Sequence, residues 1–360
     1  MSFFGFYFLL ASTPEKAIFN NYLCSRRIMG VAILLLAANY SVHFFFGIRF
    51  KNTDAAILMN LATYFLCYWL FSSALTTLLD RFYITKRRLR THICLWILFS
   101  ILSGIVLLLL PKGGLQTTAM FALAAWLVIY GLFLTRRLLR AYHRVVRIFD
   151  DTHADDIGAY IEWLSTFTYW TVIFGVGCGL LTFLPDKYVF IWILSSIPFY
   201  SYLFYSYQNY LLFYEQVENA FEQDIQSEEE LLTDTETEPE IVSEKEVPVS
   251  YTEIIEKVAN WIKTDGYVQQ GLTIKELSEI LHTNRTYLSA YIKTTYKMTF
   301  REWITGLRLE YAKNILKEHP EINIQKLAES SGFLSRSNFI KSFTEKEGCT
   351  PGKWKKANLE

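Results

Sequence analysis

Long apolar runs separated by short charged stretches make up the first 214 residues of the chain. Each run holds 18 to 25 residues, and a helix of that length crosses a hydrocarbon core of roughly 30 Å. A helix inside a soluble protein rarely stays apolar on every face over such a length. We therefore predict that residues 1–214 form a transmembrane domain. Its six helices are expected at about 28–48, 55–79, 92–110, 118–135, 166–184 and 188–206.

The loops between these runs predict the orientation of the chain. The segment before the first run and the loops at 80–91 and 136–165 together hold 13 Lys and Arg residues, whereas the other three loops hold 4. Loops rich in basic residues stay on the cytoplasmic side of a membrane. Both termini are therefore expected in the cytoplasm, which agrees with an even number of spans.

Polar side chains are scarce within the predicted spans, and none carries Asp, Glu, Lys or Arg near its middle. This pattern argues against an ion-coupled carrier. The exceptions are Asn39, His43 and Asn60, and polar residues inside a membrane are candidate functional residues. We consider them candidates for intramembrane sensing; alternatively, they bond between helices and hold the bundle together.

The loops predicted to face outward are too short to fold a binding pocket of their own, because they hold 6, 7 and 3 residues. Drug-sized ligands need a concave site of roughly 300–1,000 Å³. A signal from the membrane side is therefore expected to be a lipophilic molecule, a bilayer property or a partner membrane protein, sensed between the helices.

Charge divides the rest of the chain into two further parts. The whole chain has a net charge of zero, but residues 1–214 carry +8, residues 215–249 carry −12 and residues 250–360 carry +4. The acidic stretch is too polar to bury a core of its own. We predict that 215–249 is an acidic linker, whose first part continues the last span as a helix to about residue 232.

A cluster of acidic residues lies in the predicted loop at 136–165. It consists of Asp150, Asp151, His153, Asp155 and Asp156. Such side chains can hold a divalent cation, but the simpler interpretation is that Asp155 and Asp156 cap the helix that follows.

The sequence contains no catalytic or cofactor-binding motif, and the five cysteines form no CxxC pair. The sequence therefore predicts no metal site, no cofactor and no enzyme.

Helix-capping patterns organise residues 250–360 into two similar halves. Thr273 and Glu276 form a capping box, and Asn284 follows a short turn and can cap a second helix. A long helix separates this pair from another, whose caps are Asn323 and Ser335. Two short helices joined by a tight turn form a helix-turn-helix unit. The second helices begin 51 residues apart, so the segment is predicted to hold two such units.

Three stretches within residues 255–356 carry a more specific pattern, and they read LTIKELSEILHTNRTYLSAYIK, GLRLEYAKNIL and INIQKLAESSGFLSRSNFIKSFTEKEGCTPGKW. With these stretches, residues 255–356 resemble the DNA-binding domain of AraC/XylS-type transcriptional regulators. The last stretch carries the family's Ala, Gly-Phe, two Phe, Gly and Thr-Pro in order. A multi-span half followed by this domain also resembles membrane-anchored members of that family in Bacteroidetes-like bacteria.

The resemblance implies that the second helix of each unit enters a major groove of DNA. Arg336 suits guanine and Asn338 suits adenine, whereas Ala290 stands where many relatives carry Arg, so the first unit should read fewer bases. The resemblance implies base or backbone contacts for Arg285, Thr286, Ser289, Lys293, Arg336, Ser337, Asn338 and Lys341. Lys353 and Lys355 are candidate phosphate contacts. Arg308 matches a basic position of the family and either contacts phosphate or ties the two units together.

The sequence thus predicts an all-α protein: a six-helix transmembrane bundle, an acidic linker and a soluble double helix-turn-helix DNA-binding domain at 250–360. We expect a transcription regulator of the bacterial inner membrane, controlled by a signal sensed in or at the membrane. The expected partners are double-stranded DNA, membrane lipids, a second copy of the chain and an unidentified lipophilic ligand or membrane protein. The alternative is a membrane transport or scaffold protein whose soluble helical domain binds a protein partner.

Overall fold

A computed structural model describes residues 1–183, 189–236 and 251–359, and this part of the chain is almost entirely helical. One antiparallel bridge, between His153 and Thr273, is the only β-pairing within these ranges. The chain divides into two compact units. The first contains Met1–Val145 and Ile161–Glu215, and the second contains Val146–Tyr160 and Gln216–Glu360.

The α-helices are numbered in chain order. Those that begin in the first unit are α1 (Ser2–Leu10), α2 (Asn20–Phe46), α3 (Ile48–Lys51), α4 (Thr53–Thr77), α5 (Lys86–Leu108), α6 (Gly114–Thr152), α7 (Glu162–Leu181) and α8 (Val189–Glu236). Those of the second unit are α9 (Tyr251–Lys263), α10 (Ile274–Ile280), α11 (Arg285–Thr295), α12 (Phe300–Glu318), α13 (Ile324–Ser330), α14 (Arg336–Glu347) and α15 (Pro351–Leu359).

Among the described residues, five helical stretches are long and apolar enough to cross a membrane. They are Ala17–Phe46, Thr53–Thr77, Lys86–Leu108, Gly114–Thr152 and Ile157–Leu181. These five stretches contain the first four predicted spans almost completely and most of the fifth. The sixth predicted span, 188–206, lies partly outside the described residues, and from Val189 onward it is helical. The number of six spans therefore stays a prediction.

The opening apolar run, too short to span, forms α1 and packs against α2. Glycines allow the two helices to approach closely. A Cβ atom on Gly5 would lie 2.6 Å from Leu34, and one on Gly30 would lie 2.9 Å from Leu9. Small residues at such a contact are typical of helix pairs that pack within a membrane.

The polar residues of the predicted spans lie between α2 and α4. Asn39 donates a hydrogen bond to Asn60 at 2.7 Å, and Thr63 donates to Asn39 at 3.2 Å. Both asparagines are buried, whereas His43 is half-buried. The asparagine pair therefore has the geometry expected of a contact that holds the two helices together.

Two helices extend beyond the bounds predicted for their spans. Helix α6 continues to Thr152, through most of the predicted 136–165 loop, and α8 continues to Glu236. A stripe of buried positions at helical spacing continues along α8, which explains the extension. The stripe consists of Tyr207, Tyr210, Tyr214, Val217 and Ala220. The remainder of the predicted linker, up to residue 249, lies outside the described residues.

The second unit contains two separate hydrophobic cores. The first is built around Leu277, Leu288 and Ile292, and the second around Leu327 and Phe339, all of which are fully buried or nearly so. Helix α12 contributes side chains to both cores, so it connects them rigidly. Burial of large aliphatic and aromatic side chains contributes about 1.5–3 kcal/mol each, which makes these cores the main source of stability for the two halves.

Candidate DNA-binding surface

Local capping bonds fix the first helix-turn-helix unit, which consists of α10 and α11. The Thr273 hydroxyl accepts from the Glu276 amide at 3.2 Å, and the Glu276 carboxylate accepts from the Thr273 amide at 3.0 Å. His282 adopts a positive φ of 48° in the turn. The Asn284 side chain then accepts from the Thr286 amide at 2.7 Å and starts α11. The predicted caps of this unit are thus present, and they set the direction in which α11 leaves the turn.

The second unit, α13 and α14, is built in the same way. The Asn323 side chain accepts from the Gln325 amide at 2.7 Å, and the Ser335 hydroxyl accepts from the Asn338 amide at 3.2 Å. Between the helices Gly332 has a φ of 83°, a conformation that costs other residues free energy. The turn therefore depends on this glycine.

A second capping box begins α12 and was missed by the sequence reasoning. The Thr299 hydroxyl accepts from the Glu302 amide at 3.2 Å, and the Glu302 carboxylate accepts from the Thr299 amide at 2.8 Å. The spacing of Thr and Glu, three residues apart just before an apolar helix, is the signal that could have found it. Because α12 belongs to both cores, this cap helps to fix the separation of α11 and α14.

The predicted DNA contacts lie at the surface of the second unit. Thr286, Lys293, Arg336, Ser337 and Lys341 are exposed. The other three are partly exposed: Arg285, Ser289 and Asn338. The side chains of α11 and α14 that enter the cores are different ones, such as Leu288 and Phe339. Each second helix therefore has an apolar inner face and a polar outer face, as insertion into a groove of DNA requires.

The three candidate phosphate contacts differ in how exposed their side chains are. Lys353 is exposed and Lys355 is partly exposed on α15, whereas the Arg308 side chain is only 1% exposed. The Arg308 guanidinium donates to the carbonyl oxygens of Tyr267 at 2.8 Å and Gln269 at 2.7 Å. These contacts give Arg308 a structural role, and in this conformation a DNA phosphate could not reach it.

Arg308 also forms a buried ion pair with Asp155, 153 positions earlier in the chain. Its Nη1 atom donates to Asp155 Oδ1 at 2.9 Å, and Asp155 Oδ2 accepts from the Gly271 amide at 2.9 Å. Burial raises the pKa of the Asp155 carboxyl and lowers the pKa of the Arg308 guanidinium, although each faces an opposite charge. Desolvation is thus the dominant effect, and either charge would be very unfavourable without the other.

The residues around Asp155 pack against the C-terminal domain, residues 250–360, within the second unit. The Ala154 amide donates to the carbonyl oxygen of Leu272 at 2.9 Å, and Ala154 is 1% exposed within the first core. The capping interpretation is correct for Asp156, which accepts from the Ala159 amide at 3.1 Å. It is wrong for Asp155, because both of its carboxylate oxygens bond to the C-terminal domain.

We name residues 150–156 the aspartate segment. Its other carboxylates also form ion pairs, and their partners lie in the C-terminal domain, residues 250–360. Asp151 lies 2.8 Å from Lys293 Nζ, and Asp156 lies 3.3 Å from Lys341 Nζ. Arg301 Nε lies 2.6 Å from Asp150 Oδ1. Among the described residues, no group of His, Cys, Asp and Glu is arranged to hold a metal ion. The acidic cluster thus pairs with basic side chains of the C-terminal domain.

Comparison with known proteins finds relatives of the C-terminal helix-turn-helix units. Residues 277–357 match the family model described as a helix-turn-helix domain. These residues therefore form a helix-turn-helix domain, and we call the C-terminal region the AraC-type domain after the family that it resembles. It is 38% identical over 86 residues to the uncharacterized HTH-type transcriptional regulator YobQ of Bacillus subtilis, covering 24% of this chain and 35% of YobQ.

Two further relatives match this chain over a similar length. The uncharacterized HTH-type transcriptional regulator YtdP of Bacillus subtilis is 34% identical over 87 residues, covering 24% of this chain and 11% of YtdP. The melibiose operon regulatory protein of Escherichia coli K12 is 26% identical over 91 residues, covering 25% of this chain and 30% of that protein. The match thus spans about a tenth to a third of the length of these relatives.

Proposed function

We propose that the protein is a membrane-anchored transcription regulator of the bacterial inner membrane. Its AraC-type domain would bind a specific DNA sequence through α11 and α14, and a signal sensed in the membrane would control that binding. The proposal rests on one observation: the same chain contains five helices able to cross a membrane and two helix-turn-helix units. The polar outer faces of α11 and α14 support DNA as the partner.

We further propose that the signal enters between α7 and α8. A cavity of about 540 Å³ lies there, lined by Trp170, Phe174, Pro198, Phe199 and Tyr202. Its volume is typical of small-molecule sites, and its aromatic and apolar lining suits a lipophilic molecule. Because Asn39 and Asn60 bond each other, this cavity fits the input better than the polar residues that the sequence suggested.

The orientation of the chain is directly testable. Reporter fusions after residues 52 and 114 should have external activity, and fusions after residues 86 and 150 should have internal activity, because the basic loops are expected to stay inside. A fusion at the C-terminus should also be internal. An external C-terminus would contradict the proposal, since it would separate the AraC-type domain from DNA.

Sequence readout is tested best at Arg336, which is exposed at the first position of α14. A preferred duplex is first selected from a random pool with the full chain in lipid nanodiscs. Arg336→Ala should weaken binding to that duplex by about 1–3 kcal/mol and relax the preference at one base pair. The measurement is a set of binding isotherms on the selected duplex and on its single-base variants.

Lys353→Ala provides the comparison for Arg336→Ala. A lysine that contacts phosphate carries no base information, so this change should weaken binding to all duplexes about equally. If Arg336→Ala also costs the same on selected and random duplexes, Arg336 does not read a base. If the wild-type chain selects no sequence at all, the proposed function is wrong and the scaffold alternative gains support.

A further inference from the structure

Both helices that are proposed to enter DNA carry a lysine that is already paired with a carboxylate of this chain. Lys293 of α11 lies 2.8 Å from Asp151, and Lys341 of α14 lies 3.3 Å from Asp156. The aspartate segment therefore contacts both helix-turn-helix units. It contacts them at two of the residues expected to meet DNA.

These two pairs differ in accessibility from the contact that anchors the segment. The Asp155–Arg308 pair is buried, with side chains 6% and 1% exposed. The side chains of Lys293 and Lys341 are 52% and 47% exposed. The anchor therefore holds the segment in place, while the two outer lysines remain able to exchange one anionic partner for another.

DNA phosphates and the outer carboxylates need the same ammonium groups. Each phosphate that a lysine neutralises releases counterions, and this release provides most of the sequence-independent affinity for DNA. A lysine held by a carboxylate must lose that partner before it can neutralise a phosphate. Asp151 and Asp156 would, in addition, repel a duplex that approached the two lysines.

We propose that the aspartate segment competes with DNA phosphate for Lys293 and Lys341, so that the intact chain is held in a state of reduced DNA affinity until the segment is displaced. The inference rests on the proposed function, because it takes α11 and α14 as the DNA-binding helices. It adds the element that restrains them, which is a part of the chain about 100 residues before the AraC-type domain.

The aspartate segment directly follows a helix that is able to cross a membrane, so a change in the membrane could alter its contacts. Residues 150–152 are the last residues of α6, and α6 is one of the helices able to cross a membrane. A shift or rotation of α6 would therefore move Asp150 and Asp151 without any intervening linker. Regulation would then act by changing the population of chains whose two lysines are open to DNA.

The test measures binding of a short fluorescent duplex of mixed sequence to the full chain in nanodiscs, over a range of salt concentrations. Such a duplex reports phosphate contacts and needs no known operator. Asp151→Asn with Asp156→Asn should raise the affinity by about 2- to 30-fold, the effect expected from releasing two partly exposed ion pairs. The plot of log affinity against log salt should also steepen by about one to two, because two more phosphates are neutralised.

The matched control removes the same charge elsewhere on the domain. Glu256 and Glu318 are exposed, and Glu256→Gln with Glu318→Gln should change the affinity by less than about twofold, because distant surface charges are screened. Equal gains in the two double variants would overturn the inference, since net charge alone would explain them. No gain in either, while the wild-type chain binds DNA, would overturn it as well.

A coupling experiment identifies the pair itself. In a Lys293→Gln background, Asp151→Asn should give little of the gain that it gives in the wild-type background. An undiminished gain would show that Asp151 does not act through Lys293, and the inference would fail while the proposed function stood. If no variant bound duplex DNA at any salt concentration, both would fall together.

Discussion

Replacing Arg308 with methionine is expected to lower the free energy of unfolding of the second unit by about 3–5 kcal/mol. The change leaves the Asp155 carboxylate buried without its counter-charge, and it also leaves the carbonyl oxygens of Tyr267 and Gln269 without their donors. The loss can be measured by hydrogen exchange of the α12 amides in the full chain.

Two variants show whether the buried pair is the cause. Lys317→Met removes an exposed cation from the same helix, and its effect should stay within about 0.5 kcal/mol. Arg308→Met combined with Asp155→Leu should recover part of the stability, because apolar side chains often replace a buried ion pair at little cost. If Arg308→Met instead left stability unchanged and weakened DNA binding, Arg308 would be a phosphate contact after all.

Gly332→Ala is expected to destabilise the second unit by about 2–5 kcal/mol, because two penalties add. A residue with a Cβ atom at this left-handed φ of 83° costs about 1–2 kcal/mol. The new methyl group would also lie 2.4 Å from the carbonyl oxygen of Val268, and overpacking of this kind costs about 1–3 kcal/mol more. Backbone atoms cannot rotate away as a side chain could. Thermal unfolding of the full chain, followed by protease sensitivity of the AraC-type domain, provides the measurement.

Gly348→Ala separates the two penalties. Gly348 has a similar φ of 72°, but a Cβ atom there would meet nothing within 4 Å. Its replacement should therefore cost only the conformational part, about 1–2 kcal/mol. Equal losses at the two glycines would mean that the Val268 carbonyl moves aside, and the close packing at Gly332 would then contribute nothing.

Arg308 and Gly332 meet the same short stretch of chain, which explains why both are expected to matter. The stretch runs from Tyr267 to Gln270. It precedes the first helix-turn-helix unit and contacts the turn of the second. Gln270 donates to the carbonyl oxygen of Phe333 at 3.1 Å, next to Gly332. A change at this contact is therefore expected to alter the distance between α11 and α14. The two helices would then fit less well into successive grooves of DNA.

Signals that act within a few residues could be predicted from the sequence alone. The Thr273 capping box and the Asn284 and Ser335 caps are all present as expected. Each of them depends on a backbone amide or a turn no more than three residues away. The apolar runs likewise predicted where long helices form, since the length of a run and its lack of charge are properties of the sequence itself.

The partners of the aspartate segment could be identified only in the tertiary structure. Asp155 and Arg308 are 153 positions apart, and Asp156 and Lys341 are 185 positions apart. The chain carries 35 acidic and 35 basic side chains, so charge alone matched no carboxylate to its cation. Residues 250–360 carry a net charge of +4, which is compatible with ion pairs to the four aspartates. Net charge could not specify which basic side chain each aspartate contacts.

By itself, then, the sequence determined where most helices form, most of the caps of the C-terminal helices and the two helix-turn-helix units, because these depend on short-range hydrogen bonds and on the periodicity of apolar side chains. Only the tertiary structure decided that residues 146–160 belong with the C-terminal domain. It also decided that Arg308 is buried and that Lys293 and Lys341 face carboxylates. The physical reason is that ion pairs and buried contacts form wherever the folded chain brings opposite charges together, irrespective of their distance in sequence.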